Sequence, residues 1–219
     1  MSAVNLDILN RRMASKIVEA RVAHVFNTYA NVLVTSSFGT SSAILLHVIS
    51  RVRPRHPIYF IDTQYHFEET IAYKEQLTRL LNLNVEDVKP EPWKHEFTRR
   101  DRTWEKDPDF CCQINKVEPL DSVKKGHDIW LSGLIGYQNH HRSNLEFVEA
   151  RNDIYKCYPM IDWSPRLVND YMEQYGLPRH PLEFKGYGSV GCTHCTSPGS
   201  CRDGRWSGTT KSECGLHLR

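Results

Sequence analysis

Residues 31–52, NVLVTSSFGTSSAILLHVISRV, predict a strand–loop–helix unit, because an apolar run leads through a loop of small residues into a segment with helical periodicity. A second unit of the same kind follows, with PIYFIDT (57–63) as a short buried strand and EETIAYKEQLTRLL (68–81) as a helix. LNVEDVKP (83–90) and DIWLSG (128–133) predict a third and a fourth strand. Strands that alternate with helices predict right-handed crossovers and a mainly parallel sheet.

Helical segments flank these strands on both sides. Apolar residues recur at helical spacing through 6–26, and another helix is predicted near 114–125. WSPRLVNDYMEQYG (163–176) predicts a helix with Ser164 or Asp162 as its cap and Gly176 as its stop. We therefore predict one α/β domain over residues 1–219, a mainly parallel sheet flanked by helices of the adenine nucleotide alpha hydrolase-like class. Its N-terminal helix lies within about 1–30, and a mobile C-terminal tail covers about 206–219.

Composition excludes several classes of protein. The formal net charge is +2, which gives no global attraction to nucleic acid or to a membrane surface. No apolar run approaches the roughly 18 residues that a membrane span needs, and the start MSAVNLDILNRRM has no apolar signal segment. We expect a cytoplasmic protein, and the sequence leaves room for a homo-oligomer.

The loop TSSFGTSS (35–42) stands where ligands bind in an open parallel sheet, after the first strand. Ser36 and Ser37 offer hydroxyl groups, Gly39 allows close backbone approach, and the next helix points its N-terminus at the loop. Such a loop suits a phosphate or a sulfate. An ordinary strand-to-helix turn with a serine cap fits the same residues.

Four of the seven cysteines come in two tight pairs, Cys111 with Cys112 and Cys192 with Cys195. In a cytoplasmic chain, such pairs favour a metal centre over disulfides. Adjacent cysteines cannot easily turn toward one zinc ion, whereas a cubane cluster presents irons that lie farther apart. We therefore expect a [4Fe–4S] cluster, with zinc as the alternative.

Basic residues near these cysteines can bind an anion. Lys116 lies one helical turn after Cys112, while Arg202 and Arg205 follow the second cysteine pair in CRDGRW. Arg142, after the fourth strand, is another candidate. Each of them taken alone is more often a solvated surface charge.

The tail ends in KSECGLHLR (211–219), which places Cys214 near the C-terminus with Gly215 beside it and His217 three residues on. A cysteine chosen for packing belongs in the core, whereas one on a tail can move between partners. The neighbouring groups predict an exposed, reactive thiol.

Together these features resemble the sulfonucleotide reductases of assimilatory sulfate reduction. The resemblance rests on ECGLH at 213–217, which is the family's catalytic signature, and on SSFG, IDT, INKVEPL, SGL, PMIDW, the HPL…GYGSVG stretch and GRW. It runs from about residue 30 to the C-terminus. The paired cysteines resemble the branch that carries a [4Fe–4S] cluster and mostly reduces adenosine 5′-phosphosulfate (APS). The branch without the cluster reduces the 3′-phosphorylated nucleotide (PAPS).

The resemblance implies a mechanism. Cys214 would attack the sulfur of APS and expel AMP, leaving an S-sulfonated cysteine, and thioredoxin or glutaredoxin would then release sulfite. The phosphosulfate would be bound by Lys116, Arg142, Arg202 and Arg205, with His217 as a further substrate contact. Ser36, Ser37 and Gly39 would bind phosphate or sulfate oxygens, and the backbone at Ile61 would read adenine. The cluster, on Cys111, Cys112, Cys192 and Cys195, would position Lys116 and polarise the sulfate without passing electrons.

The sequence departs from the family at IGYQ (135–138), where two consecutive basic residues are usual. Three alternatives stay open at this point: PAPS as the substrate, a non-catalytic zinc-stabilised nucleotide-binding module, and an adenylating enzyme of the ATP-pyrophosphatase type. The last ranks lowest, because loop 35–42 lacks the S-G-G-x-D-S form.

Overall fold

Six strands build the sheet in a computed structural model that describes residues 5–151 and 154–218. The strands are β1 (Val32–Val34), β2 (Pro57–Ile61), β3 (Asn84–Val88), β4 (Ile129–Leu131), β5 (Val148–Arg151) and β6 (Ile154–Cys157). β1, β4 and β6 pair in parallel, β5 pairs antiparallel with β6, and β2 pairs in parallel with β3. A parallel bridge between Thr35 and Tyr59 joins the two parts, so the strand order is β3-β2-β1-β4-β6-β5.

Helices connect and cover these strands. They are α1 (Leu6–Ala14), α2 (Val18–Thr28), α3 (Ser42–Val52), α4 (Glu68–Leu80), α5 (Pro92–Arg100), α6 (Thr103–Lys106), α7 (Pro108–Cys112), α8 (Glu118–Lys124), α9 (His140–Ser143), α10 (Pro165–Gln174) and α11 (Gly215–Leu218). A π-helical turn, Gln113–Val117, joins α7 to α8, and 3₁₀ turns occur at Gly136–Gln138, Pro181–Lys185 and Thr193–Cys195. The predicted α/β class, with a mainly parallel sheet flanked by helices, is confirmed.

The packing of the hydrophobic core stabilises the first predicted strand–loop–helix unit, residues 31–52. All three residues of β1 are buried, and α3 buries its apolar face against the sheet through residues such as Ile44 and Val48. This burial removes both sides of a short strand from water, which is typical of a parallel sheet. Because β1, β2 and β4 are parallel, their carboxyl ends share one edge of the sheet.

Two elements differ from the sequence prediction. The single helix over 6–26 is two helices, with the break at Ser15–Ile17, where Lys16 N donates to Met13 O and turns the chain. The β5–β6 hairpin has no counterpart in the prediction. The predicted cap of α10 is Ser164, whose hydroxyl accepts from Leu167 N at 3.2 Å, and Gly176 follows the helix at φ +57°.

Arg21 ties the N-terminal helices to the segment after β6. Its side chain is buried, bonds both carboxylate oxygens of Asp162 at 2.7 and 2.8 Å, and donates to the carbonyls of Met13 and Pro159. The guanidinium also lies 4.4 Å from the ring centroid of Phe147. Asp162 belongs to PMIDW, so this motif has a structural role in the fold.

No helix among residues 5–151 and 154–218 is long and apolar enough to cross a membrane.

Replacing Arg21 with methionine should lower the free energy of unfolding by about 2–3 kcal/mol, because two buried carbonyls and Asp162 lose their donor. Arg166→Met is the matched control: that arginine is highly exposed and 3.6 Å from an exposed Asp170. The control should stay within about 0.5 kcal/mol of wild type. Urea unfolding of the three proteins measures the difference, and equal loss in both variants would contradict the structural role of Arg21.

Candidate active site

A cavity of about 170 Å³ lies at the edge of the sheet where β1, β2 and β4 end. It brings together every residue that the sequence predicted for substrate binding and the predicted nucleophile. These are Ser36, Ser37, Gly39, Ile61, Lys116, Arg142, Arg202, Arg205, His217 and Cys214, and all of them line it. Residues separated by up to 181 positions in the chain thus share one site.

The loop after β1 forms one wall of this cavity. Phe38 is fully buried at φ +49° and its N–H donates to the Ser36 hydroxyl at 3.1 Å, which turns the loop before α3 begins. A Cβ at Gly39 would lie 3.5 Å from Ser37 Oγ and 3.7 Å from Val190 O, which are ordinary contacts. A side chain at this position would therefore not clash with the protein, and close approach of a ligand to the backbone at Gly39 stays a prediction.

Lys116 projects into the cavity from the π-helical turn that follows Cys112. Burial alone would lower the pKa of Lys116, but the sulfurs of Cys192, Cys214 and Cys112 more than offset this and raise it. No carboxylate within the described ranges pairs with Lys116 in an ion pair. The Lys116 ammonium group therefore lines the cavity and lies near cysteine sulfurs.

Arg205 is the second cation of this kind. It is buried, its guanidinium lies 4.5 Å from the ring centroid of Trp206, and it donates to Cys195 O at 3.3 Å and Ser189 Oγ at 3.4 Å. A Cβ on Gly191 would lie 2.2 Å from its Nη2, so a glycine is needed there for this side-chain position. In the part of the chain that is described, Arg205 also has no carboxylate partner.

Glu213, from the tail, engages the other two arginines. Its carboxylate is fully buried and accepts from Arg142 Nε at 2.7 Å and from Arg202 Nη2 at 2.7 Å. Asn139 Nδ2 at 3.2 Å and the Cys214 N–H at 2.8 Å are further donors. Burial would raise the pKa of Glu213, but the bond from Arg142 and the charges of both arginines hold it well below its usual range. The Glu213 carboxylate thus pairs with Arg142 and Arg202, which are two of the four residues predicted to bind the phosphosulfate.

Cys214 lies inside the cavity next to Cys112 and Lys116, with only 9% of its surface exposed. The sequence predicted an exposed thiol, which is wrong for this docked arrangement, because residues 213–217 insert beneath the surface. A hydrogen bond from Cys112 and the nearby cations Lys116 and Arg205 lower the pKa of Cys214, although burial opposes them. The site favours a thiolate.

The four predicted metal-binding cysteines are all buried free thiols. Burial raises the pKa of Cys111, the nearby sulfurs of Cys192 and Cys195 raise it further, and Asn115 Nδ2 is 3.7 Å from the Cys111 sulfur. Thr63 Oγ1 is 3.4 Å from the sulfur of Cys192. Over the described residues, no three ligand side chains surround a point suited to a single metal ion. The donor chemistry and the Lys116 cation, which has no carboxylate partner, fit an anionic cluster that is held by separated thiolates.

Three residues of the site were missed by sequence reasoning. Trp130 and His66 line the cavity, and burial lowers the pKa of His66 to about 4, so its ring is neutral. Lys156 is buried beside Trp130, with its Nζ 4.7 Å from the ring centroid. A lysine within a strand that is otherwise apolar is the signal that could have identified Lys156.

Known proteins are similar to this chain over most of its length. The model of the phosphoadenosine phosphosulfate reductase domain matches residues 31–198. The chain belongs to the sulfonucleotide reductase family. An adenosine 5′-phosphosulfate reductase of Halalkalibacterium halodurans is 38% identical over 98% of this chain and 97% of its own. One of Bacillus mycoides is 36% identical over 89% and 87%, respectively.

Solved structures place this sulfonucleotide reductase among similar folds. A phosphoadenylyl-sulfate reductase from Candida auris, in a phosphate complex, has a TM-score of 0.77 at 25% identity, covering 90% of this chain and 99% of that one. The FMN adenylyltransferase of Candida glabrata, with a TM-score of 0.60 at 15% identity, shares the fold alone over 90% of this chain and 69% of that one.

Replacing Glu213 with glutamine should release the tail, because an uncharged amide leaves two buried guanidiniums without a counter-charge. We expect Cys214 to react with iodoacetamide at least about tenfold faster, which corresponds to ~1.4 kcal/mol of lost docking free energy. Mass spectrometry of tryptic peptide 212–219, which contains Cys214 as its single cysteine, gives the rate. In the control Glu69→Gln, which removes the pair between Glu69 on α4 and Lys185 in the 3₁₀ turn Pro181–Lys185, the rate should not change. Unchanged protection of Cys214 in Glu213→Gln would contradict the docking role.

Proposed function

We propose that this protein reduces APS to sulfite and AMP, with thioredoxin or glutaredoxin as the reductant, in assimilatory sulfate reduction. The observation that carries the proposal is the position of Cys214, inside an anion-sized cavity beside Lys116 and Arg205. The relatives named APS reductase, at 36–38% identity, favour APS over PAPS. The redoxin requirement fits a cytoplasmic location, where such dithiols are kept reduced.

The sulfate end of the nucleotide would lie between Lys116 and Arg205, the two cations that carry no carboxylate partner within the described residues. Both line the cavity before substrate arrives, so they can stabilise charge as it develops on the leaving phosphate. The hydroxyls of Ser36 and Ser37, with the backbone at Gly39, would bind the remaining oxygens. The adenine would lie against the backbone at Ile61, where β2 ends.

Arg142 and Arg202 would act differently from what the sequence suggested. Their bonds to Glu213 hold the tail in place, one residue before the nucleophile. They can contact the phosphosulfate only where a substrate oxygen displaces or shares the bonds to this carboxylate. Their first role in this proposal is therefore to bring Cys214 to the substrate, with His217 closing the cavity next to it.

The reaction would begin with attack of the Cys214 thiolate on the sulfur of APS. A sulfur–sulfur bond forms, the bond from sulfur to the phosphate oxygen breaks, and AMP leaves with the electron pair. One thiol of the redoxin then attacks Cys214, and sulfite leaves as the mixed disulfide forms. The second thiol resolves this disulfide, so the dithiol supplies both electrons and Cys214 is restored.

A [4Fe–4S] cluster would be held by Cys111, Cys112, Cys192 and Cys195. When bound, it would supply a fixed electrostatic neighbour for Lys116 and would join two distant segments of the chain, with no electrons passing through it. As a ligand, Cys112 would be deprotonated and could not donate its hydrogen bond to Cys214. The charge of Lys116, the backbone hydrogen bond from Leu216 and the charge of Arg205 would still lower the pKa of Cys214.

The function is tested by sulfite release from APS and from PAPS, each with thioredoxin at matched low nucleotide concentrations. We expect faster release from APS. Cys214→Ser should bind nucleotide as wild type does but release sulfite at least about three orders of magnitude more slowly, because a hydroxyl stays protonated at neutral pH. Faster release from PAPS would overturn the substrate, and turnover by the serine variant would overturn the nucleophile.

The cluster is tested by iron content. Cys192→Ala should lose iron and the visible absorbance of the purified protein, because one missing thiolate opens a coordination position. Cys157→Ala and Cys201→Ala are matched controls, since neither is a predicted ligand, and both should keep wild-type iron per chain. Zinc in place of iron in wild type, or full iron in Cys192→Ala, would contradict the assignment.

A further inference from the structure

A buried lysine lies beneath the catalytic tail. Lys156, on β6, is 2% exposed and pairs in register with Trp130 on the adjacent strand β4. Burial lowers the pKa of Lys156 to about 8, and among the described residues Lys124 and Arg151 lower it further while Glu149 and Asp121 raise it. The sheet thus keeps a costly group in its interior at the edge next to the active site.

Lys156 contacts the tail directly. Its Nζ donates to the carbonyl oxygen of Leu216 at 2.9 Å and lies 4.7 Å from the ring centroid of Trp130. The Trp130 ring is itself fixed by a 2.8 Å bond from its Nε1 to Thr35 Oγ1. It stacks on His217, with the centroids 5.5 Å apart and an interplanar angle of 20°. Two neighbouring side chains of the sheet therefore receive two successive residues of the tail.

These contacts fix the position of the nucleophile. Leu216 is two residues from Cys214, and the His217 N–H donates to Cys214 O at 2.9 Å, so residues 214–217 form one tight turn. Gly215 packs against Val117, where an added Cβ would lie 3.3 Å from a methyl carbon. A turn that is held at Leu216 and His217 cannot move Cys214 without breaking one of these contacts.

We propose that Lys156 and Trp130 form a seat for the tail, and that Lys156 is a positioning residue that holds Cys214 in its attacking place through the Leu216 carbonyl. The seat is distinct from the Glu213 contacts, which lie on the other side of Cys214 in the sequence. The docking of the tail on Lys156 and Trp130 is inferred from geometry alone. Only its effect on catalysis rests on the proposed function. The seat acts during S-sulfonation, since the tail must leave it to reach a redoxin.

The first test needs no nucleotide. In Lys156→Met, which keeps an unbranched apolar side chain but loses the donor, Cys214 in purified protein should react with iodoacetamide about tenfold faster than in wild type. Lys156→Arg, which keeps a charged donor, should recover part of the protection. Lys124→Met is the matched control, because it removes a nearby positive charge that pairs with Asp121, and its rate should equal that of wild type.

A tail variant guards against loss of the fold. His217→Leu lies in the last turn of the chain and removes the stack on Trp130, so it should also speed the alkylation of Cys214. The buried Cys157 reports on the core and should stay protected in every variant. Wild-type alkylation rates in both Lys156→Met and His217→Leu would overturn the seat.

The second test measures the reaction step. In single turnovers with APS, Lys156→Met should form the Cys214 S-sulfonate about tenfold more slowly, while the dissociation constant for AMP stays unchanged and the rate of sulfite release by thioredoxin from preformed S-sulfonate does not fall. An equal loss in both half-reactions would overturn the positioning role. If wild type itself does not react with APS, the proposed function fails, and the alkylation rates still decide whether the seat exists.

Discussion

The buried carboxylate of Glu213 is the contact on which the arrangement of the site depends. Burying it without partners would be costly, and the two guanidiniums of Arg142 and Arg202 offset that cost only when the tail is docked. The same residue accepts from the backbone N–H of Cys214, so the ion pairs and the nucleophile are joined by one side chain. Lys116 and Arg205 line the same cavity as the Cys214 thiol when the tail is in that docked position.

The sequence predicts the strands and loops that surround the site, because the patterns that mark them are local. Apolar runs that alternate with helical periods define the parallel strands, and parallel strands must bring their carboxyl ends to one edge. That constraint is enough to place loop 35–42, Ile61 and Arg142 in one cavity. The tail lies beyond any periodic segment, and the resemblance to a family, rather than a pattern, assigns Cys214 to the substrate.

The structural features that the sequence did not predict depend on contacts between residues that are far apart in the chain. β5 and β6 are each four residues long, and a buried lysine in β6 breaks the apolar pattern that marks a strand. The split between α1 and α2 is accompanied by contacts of Arg21, which donates to Met13 O near the end of α1 and reaches Asp162 after β6. Likewise, the sequence predicts Arg142 and Arg202 as phosphosulfate ligands and not as partners of the tail, because no local feature shows that residue 213 supplies a carboxylate to both.

Cys214 as the attacking nucleophile is tested by the mass of tryptic peptide 212–219 after incubation with APS in the absence of any reductant. This peptide should gain the mass of one SO₃ group, with one AMP released for each Cys214 modified, and added thioredoxin should remove the group as sulfite. Release of AMP with an unmodified tail peptide, or the SO₃ group on another cysteine, would show that Cys214 is not the nucleophile.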